Sequence, residues 1–256
     1  MGRRTTLTSR FLRSLIPERI PWFAARLYDQ IARGAIETYY KEVAECVTAH
    51  TSQGLVLDVG TGPGYLSIEI AKQAPRIAVV GIDSSKALVR IAQQNAEKEG
   101  MSDRVRFLKC DGSRLDIADD SCDLVISTGS LHAWKSPVIV IDECFRVLKA
   151  GCEAWLLDPA QIMTPETQRF LERGLKPVDR LAYWWGSFTS NLTPPYTVGE
   201  IEEIIRLTKF EKGTVAEGKW LTVKLRKDAG PTAQARQRSR DEISGKSHSG
   251  RSGSCH

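Results

Sequence analysis

Leu57-Asp58-Val59-Gly60-Thr61-Gly62-Pro63-Gly64-Tyr65-Leu66 joins an apolar run to a helical repeat through three closely spaced glycines that follow an acidic residue. The run Leu55 to Val59 reads as a buried parallel strand. From Tyr65 to Lys72 the apolar residues Leu66, Ile70 and Ala71 recur at helical spacing. Gly60, Gly62 and Gly64 therefore form the turn between strand and helix. Glycine permits positive φ and lets main chain lie close to a ligand, so the turn predicts a nucleotide-like cofactor gripped by its backbone amides.

The glycine spacing separates two cofactor classes. A dinucleotide-binding turn usually reads G-x-G-x-x-G. Here the third glycine comes two residues after the second, Tyr65 stands where that third glycine would fall, and Asp58 lies two residues before Gly60. The D-x-G-x-G-x-G pattern resembles the first motif of class I S-adenosylmethionine-dependent methyltransferases. That resemblance implies S-adenosyl-L-methionine as cofactor, with the glycines beneath its methionine part.

The next strands extend the resemblance. Ile77 to Ile82 is a second apolar run ending at Asp83 and Ser84, about 20 residues past the turn, where a strand-end acid can accept hydrogen bonds from ribose hydroxyls. A third strand, Val105 to Lys109, leads into Cys110-Asp111-Gly112; in the resembling family an acid here receives the adenine amino group. The fourth, Cys122 to Ser127, is followed by Thr128-Gly129-Ser130-Leu131-His132, where that family closes over the transferable methyl. The cofactor-binding candidates are thus Asp58, Gly60, Gly62, Gly64, Asp83, Ser84, Asp111, Gly112 and Ser127. Tyr28 joins them from the preceding cap, because a Tyr-Asp pair like Tyr28-Asp29 approaches the cofactor in the resembling family. His132 is the candidate general base, since imidazole titrates near neutral pH, and Trp134 a candidate wall of the methyl site. Methyl transfer is an in-line displacement that requires no metal in principle.

Strands near 55–59, 77–82, 105–109, 122–127 and 152–158 alternate with helices near 64–74, 86–99 and 136–148. Ser136-Pro137 reads as a capped helix start, with Val138, Ile141, Phe145 and Leu148 along one face. Arg146 to Gly151 resembles the helix-to-strand turn RVLKPGG of small-molecule methyltransferases, with Ala150 and Cys152 in place of its proline and second glycine. Thr197 and Glu200 offer a capping box, and Phe210 to Val215 and Trp220 to Arg226 a hairpin around Glu217-Gly218. The predicted fold is α/β: a Rossmann-like, seven-stranded, mostly parallel sheet with an antiparallel terminal hairpin and helices on both faces.

Around the methyltransferase domain at 51–227 the reading places a basic N-terminal segment at 1–20, a helical cap at 21–50 with a Leu27, Ile31, Tyr39, Tyr40, Val43 stripe, and a disordered tail at 228–256. Residues 174–196, rich in Tyr183, Trp184, Trp185, Phe188 and Tyr196, are a candidate lid. The 256 residues are 41% hydrophobic and 26% charged, with a net charge of +5 and no apolar run long enough to span a bilayer. Six cysteines without a C-x-x-C read as reduced core residues and predict a cytoplasmic protein. The basic N-terminus allows peripheral membrane contact. Nucleic acid is disfavoured as a partner, because the basic ends lack interleaved aromatics. Thr193-Pro194-Pro195-Tyr196 shares letters with the N-P-P-Y motif of amino-group methyltransferases but lies far beyond the fourth strand. The expected activity is S-adenosylmethionine-dependent methylation of a small-molecule acceptor. The alternatives are a nicotinamide-dependent oxidoreductase and a non-catalytic cofactor-binding scaffold.

Overall fold

The computed structural model describes residues 25–34, 39–159, 196–210, 212–218 and 220–229. In chain order the strands are β1 Gln53–Val59, β2 Arg76–Asp83, β3 Val105–Lys109, β4 Cys122–Thr128, β5 Leu148–Pro159, β6 Gly213–Glu217 and β7 Trp220–Arg226. The α-helices are α1 Ala25–Gly34, α2 Lys41–His50, α3 Tyr65–Gln73, α4 Lys86–Lys98, α5 Pro137–Val147 and α6 Val198–Arg206. The strands form one sheet in the order β3-β2-β1-β4-β5-β7-β6. β1 to β5 are parallel, whereas β7 runs antiparallel to both β5 and β6. The predicted architecture is therefore the observed one.

Side chains alternate across the sheet, as the two-residue strand period requires. Val56, Leu124, Ile126 and Trp155 enter a core covered by α2, α3 and α4. Leu57, Val125, Ala154 and Leu156, with Leu221, Val223 and Leu225 of β7, enter the core beneath α5 and α6. Both faces of the central strands are thus dry, which is why β1 and β4 read as unbroken apolar runs.

Several local expectations shift. The hairpin begins at Gly213 rather than Phe210, because Phe210 is buried with its ring 5.0 Å from Phe145, edge to face. Ser136 makes no side-chain cap on α5, which instead starts on Pro137. The buried face of α5 is Val140, Ile141, Cys144 and Val147, one position off the predicted stripe, with Val138 and Phe145 only partly buried. Leu148 belongs to β5. Thr197 and Glu200 do form the reciprocal capping box on α6. Cys122 and Cys144 are buried, but Cys46 is exposed on α2, so the cysteines are not uniformly core residues. Tyr196 packs in the core under α6. The remaining lid residues, the 1–20 segment, almost all of the tail, and the Leu27 and Ile31 side chains lie outside the described residues.

Candidate cofactor and acceptor site

β1 connects toward β2 on one side, and the chain then crosses from β3 to β4 on the other, so the crevice over their carboxyl ends is a topological switch point. A cleft of about 700 Å³, its open mouth included, occupies that place. Seven predicted residues line it: Tyr28, Gly60, Gly62, Asp83, Ser84, Asp111 and Gly112. Trp134 closes one wall, and Leu88 and Val140 supply apolar surface that the sequence did not single out. Asp58, Gly64, Ser127 and His132 lie outside this lining.

The glycine turn differs from expectation in one chemically important way. The amides of Gly60 and Thr61 both donate to the Ile82 carbonyl, each at 2.9 Å. Gly62 N–H donates to Asp83 Oδ2 at 3.1 Å, Gly64 N–H to the Thr61 carbonyl at 3.0 Å, and Pro63 has no N–H. Every amide of residues 60–64 is therefore spent inside the protein, and the expectation that these amides grip the ligand is corrected. The turn offers shape and oxygen acceptors, the reverse of a phosphate-binding loop, which must present free N–H groups.

Two glycines show why the turn needs them. Gly62 has φ 56°, and a Cβ there would come within 3.3 Å of the Tyr28 ring. Gly64, φ 83°, stands at the N-cap of α3, where a Cβ would meet Phe107 Cζ at 2.5 Å. Its role is to bring α3 close to the sheet, away from the cleft.

Asp58 is only 1% exposed. Its Oδ2 accepts from the hydroxyls of Thr61 and Ser67, both at 2.7 Å, while its Oδ1 has no hydrogen-bond partner among the described residues. Burial pushes its carboxyl up to about 6, against the lowering effect of the two hydroxyls. An orphaned buried oxygen beneath the turn fits a cationic ligand group. Asp83 accepts from Gly62 N–H and, through Oδ1, from Ser85 N–H at 2.8 Å. Its carboxyl is also held above the usual range by burial. Each of its oxygens still has a second lone pair for ribose hydroxyls. Asp111 Oδ1 accepts from both the amide and hydroxyl of Ser113, which fixes the loop at the end of β3.

The cap is tied down by the other half of the Tyr-Asp pair. Tyr28 faces the cleft, and burial followed by the charges of Asp83, Asp158 and Asp58 pushes its hydroxyl up to about 12. Asp29 instead accepts from the Tyr65 hydroxyl at 2.7 Å and from Asn95 Nδ2 at 3.3 Å. Asn95 also donates to the Pro63 carbonyl at 3.0 Å. Tyr65, at the position where a dinucleotide turn has its third glycine, is thus the anchor of α1.

On the far side of β4, Ser127 donates to the Val59 carbonyl at 2.7 Å and braces β1 from within the sheet. His132, in the 3-10 turn Leu131–Ala133, bonds Asp158 twice. Its backbone N–H donates to Asp158 Oδ2 at 3.1 Å, and its Nδ1 lies 3.1 Å from both carboxylate oxygens. Asp158, fully buried near the end of β5, was missed in the sequence, although it ends an apolar run just as Asp83 does.

Residues 50–177 match the family model described as a methyltransferase domain. The chain belongs to the methyltransferase domain family. Its fold is that of the class I S-adenosylmethionine-dependent methyltransferases, and the nicotinamide-dependent alternative has no support. This methyltransferase domain is 35% identical over 138 residues to a demethylmenaquinone methyltransferase of Porphyromonas gingivalis, covering 54% of this chain and 51% of the relative. It is 26% identical over 144 residues to the ubiquinone/menaquinone biosynthesis C-methyltransferase UbiE of Dinoroseobacter shibae, covering 56% and 57%. The chain thus spans about half the length of the curated relatives it matches. A crystal structure of a proposed S-adenosylmethionine-dependent methyltransferase from Methanococcus maripaludis superposes with a TM-score of 0.70 at 21% identity, covering 84% of this chain and 97% of that one.

Proposed function

We propose that this methyltransferase domain moves the methyl group of S-adenosylmethionine onto a small organic acceptor beside the loop after β4. The observation that carries this reading is the glycine turn, whose residues 60–64 have no amide to give a pyrophosphate while the buried Asp58 carries an orphaned oxygen. A sulfonium and an ammonium suit such a site, and a diphosphate does not. In this assignment Asp83 and Ser84 hold the ribose, Asp111 and Gly112 bound the adenine, and Gly60 and Gly62 face the methionine end, with the Asp58 carboxylate buried beneath them. Tyr28 covers them, and Ser127 and Gly64 act by holding the strand and helix that frame the turn. Cofactor binding would supply an activated methyl; the chain's own contribution is to align acceptor and methyl at near-attack distance.

The relatives' names favour a quinone-like, apolar acceptor, which agrees with the Trp134, Leu88 and Val140 lining. Peripheral membrane contact through the basic N-terminus, and a cytoplasmic location, belong to the same proposal. Mass spectrometry of the purified protein for a co-purified adenosyl compound, followed by labelled-methyl transfer, tests the reading. A protein that holds the cofactor yet methylates nothing would be the scaffold that the sequence also allowed.

A further inference from the structure

We infer that Ser130 is a positioning residue for methyl transfer: its hydroxyl ties the loop after β4, which carries the cleft wall Trp134, to the Gly60 carbonyl of the glycine turn. The inference rests on the reading above, which puts the acceptor beside that loop, and it names what holds the two halves of the site at a fixed separation.

Ser130 lines the cleft together with Gly60 and Trp134. Its hydroxyl hydrogen is shared between two carbonyls, Gly60 at 3.2 Å and Thr128 at 3.3 Å, so the side chain reaches from the end of β4 to the end of its neighbour β1. The contact is tight as well as polar. A Cβ on Gly60, where φ is 79°, would stand 2.1 Å from Ser130 Oγ and 2.7 Å from Ser130 Cβ. The first glycine of the turn is therefore required by the loop opposite it, as Gly62 is by Tyr28 and Gly64 by Phe107.

The loop's backbone is fastened in the other direction. Gly129 N–H donates to the Leu157 carbonyl at 2.8 Å and His132 N–H to Asp158 Oδ2 at 3.1 Å, both on β5. Ala133 N–H donates to the Ser130 carbonyl at 2.9 Å and Trp134 N–H to the Leu131 carbonyl at 3.2 Å, which joins the Trp134 wall to Ser130. Gly60 in turn is fixed to the end of β2 by its own amide, bonded to the Ile82 carbonyl. A loop held from β5 alone can swing about that strand, whereas one braced from both sides keeps its distance from the turn. In-line displacement depends on that distance, and a misplacement of roughly 1 Å can cost on the order of 100-fold in rate. Removing the hydroxyl leaves each binding surface in place and loosens their relation, so the loss falls on turnover and not on cofactor affinity.

The test uses the full chain with Ser130→Ala and Ser130→Thr. Calorimetry with S-adenosylhomocysteine should give affinities within about threefold of the unaltered protein, because the turn keeps its own hydrogen bonds. The amides of Gly129, His132, Ala133 and Trp134 are all bonded, so their exchange reports opening of the loop; it should quicken by roughly 3- to 10-fold in Ser130→Ala, the effect of one lost neutral hydrogen bond. Labelled-methyl transfer to dihydroxynaphthalene and to a small-molecule cell extract, at saturating S-adenosylmethionine, should fall roughly tenfold or more in Ser130→Ala with the KM for cofactor little changed. Ser130→Thr keeps the hydroxyl and should restore both exchange and transfer. Failure of the unaltered protein to bind S-adenosylhomocysteine, or to methylate any acceptor, overturns the reading underneath and this inference with it. With both intact, the inference alone is overturned by unchanged exchange in the loop, by undiminished transfer in Ser130→Ala, or by transfer no better in Ser130→Thr than in Ser130→Ala. An affinity loss of roughly tenfold or more in Ser130→Ala also overturns it, by making Ser130 a cofactor contact.

Discussion

Asp83 and Asp58 divide the cofactor chemistry between a hydrogen-bonding acid and a buried charge. Asp83→Ala removes an acceptor that also fastens Gly62 and Ser85. Loss of a charge-assisted contact costs on the order of 1.5–3 kcal/mol, so calorimetry with S-adenosylhomocysteine should show affinity reduced by roughly 10- to 100-fold; an unchanged affinity would displace the ribose from this strand end. For Asp58 the sign follows from its carboxyl being pushed up to about 6 in the folded protein, above the ~3.9 of an exposed aspartate. Between those values the native state binds more protons than the unfolded chain, so the residue's stability is fully present below about pH 4 and falls as pH rises to about 6 and just beyond. Relative to Asp58→Asn, the ligand-free protein should lose about 2–3 kcal/mol between pH 4 and pH 7. Urea unfolding at a series of pH values measures this, and a difference independent of pH would mean that the carboxylate is well solvated. Asp58→Asn should also weaken cofactor binding, because the amide carries no charge toward the cation.

At the scale of elements, the cap helix α1 is coupled to the glycine turn through Asp29, Tyr65, Asn95 and the Pro63 carbonyl. Arg33 adds to the tether, bonding the Tyr65 hydroxyl at 3.1 Å and lying 3.6 Å from Asp29. Tyr65→Phe deletes the hydroxyl and leaves Asp29 without its shortest contact, at a cost of about 1–3 kcal/mol. The expected result is roughly tenfold weaker binding of S-adenosylhomocysteine with faster amide exchange confined to α1. Exchange accelerated throughout α3 as well would make Tyr65 a general packing residue instead. Gly64→Ala separates the opposite case. Its Cβ would collide with Phe107 in a positive-φ backbone, so thermal stability should fall, because neither the strained backbone nor the contact between α3 and the sheet can relax cheaply. The purified variant, where it folds, should keep most of its cofactor affinity.

For the whole molecule, the sheet order and the cleft at its switch point predict selective stabilisation by ligand. A compound at 100 times its dissociation constant adds about 2.7 kcal/mol, which for a domain of this size raises Tm by roughly 5–10 °C. Thermal-shift measurements should show this with S-adenosylhomocysteine and no shift with NADH. A comparable NADH shift would contradict the assignment of the glycine turn, whose amides have nothing left to bind a diphosphate.

The order of elements was legible in the sequence because β1 and β4 are buried along most of both faces and read as apolar runs, while β2 and β3 each keep an apolar stripe that leads to an acid at or just past the strand end. Asp83 and Asp111 were legible for the same reason: in a parallel sheet, residues that follow strand ends converge on one rim whatever their separation along the chain. The destinations of the hydrogen bonds were not legible. That the amides of Gly60, Thr61 and Gly62 are consumed internally, that Asp29 turns to Tyr65 while its neighbour Tyr28 faces the cleft, and that Asp158 reaches across from β5 to hold His132 depend on packing between segments 21 to 66 residues apart. Local pattern specifies which residues enter a strand, a turn or a helix face, but a polar group selects its partner only after burial has removed water as the alternative, and that selection belongs to the tertiary structure.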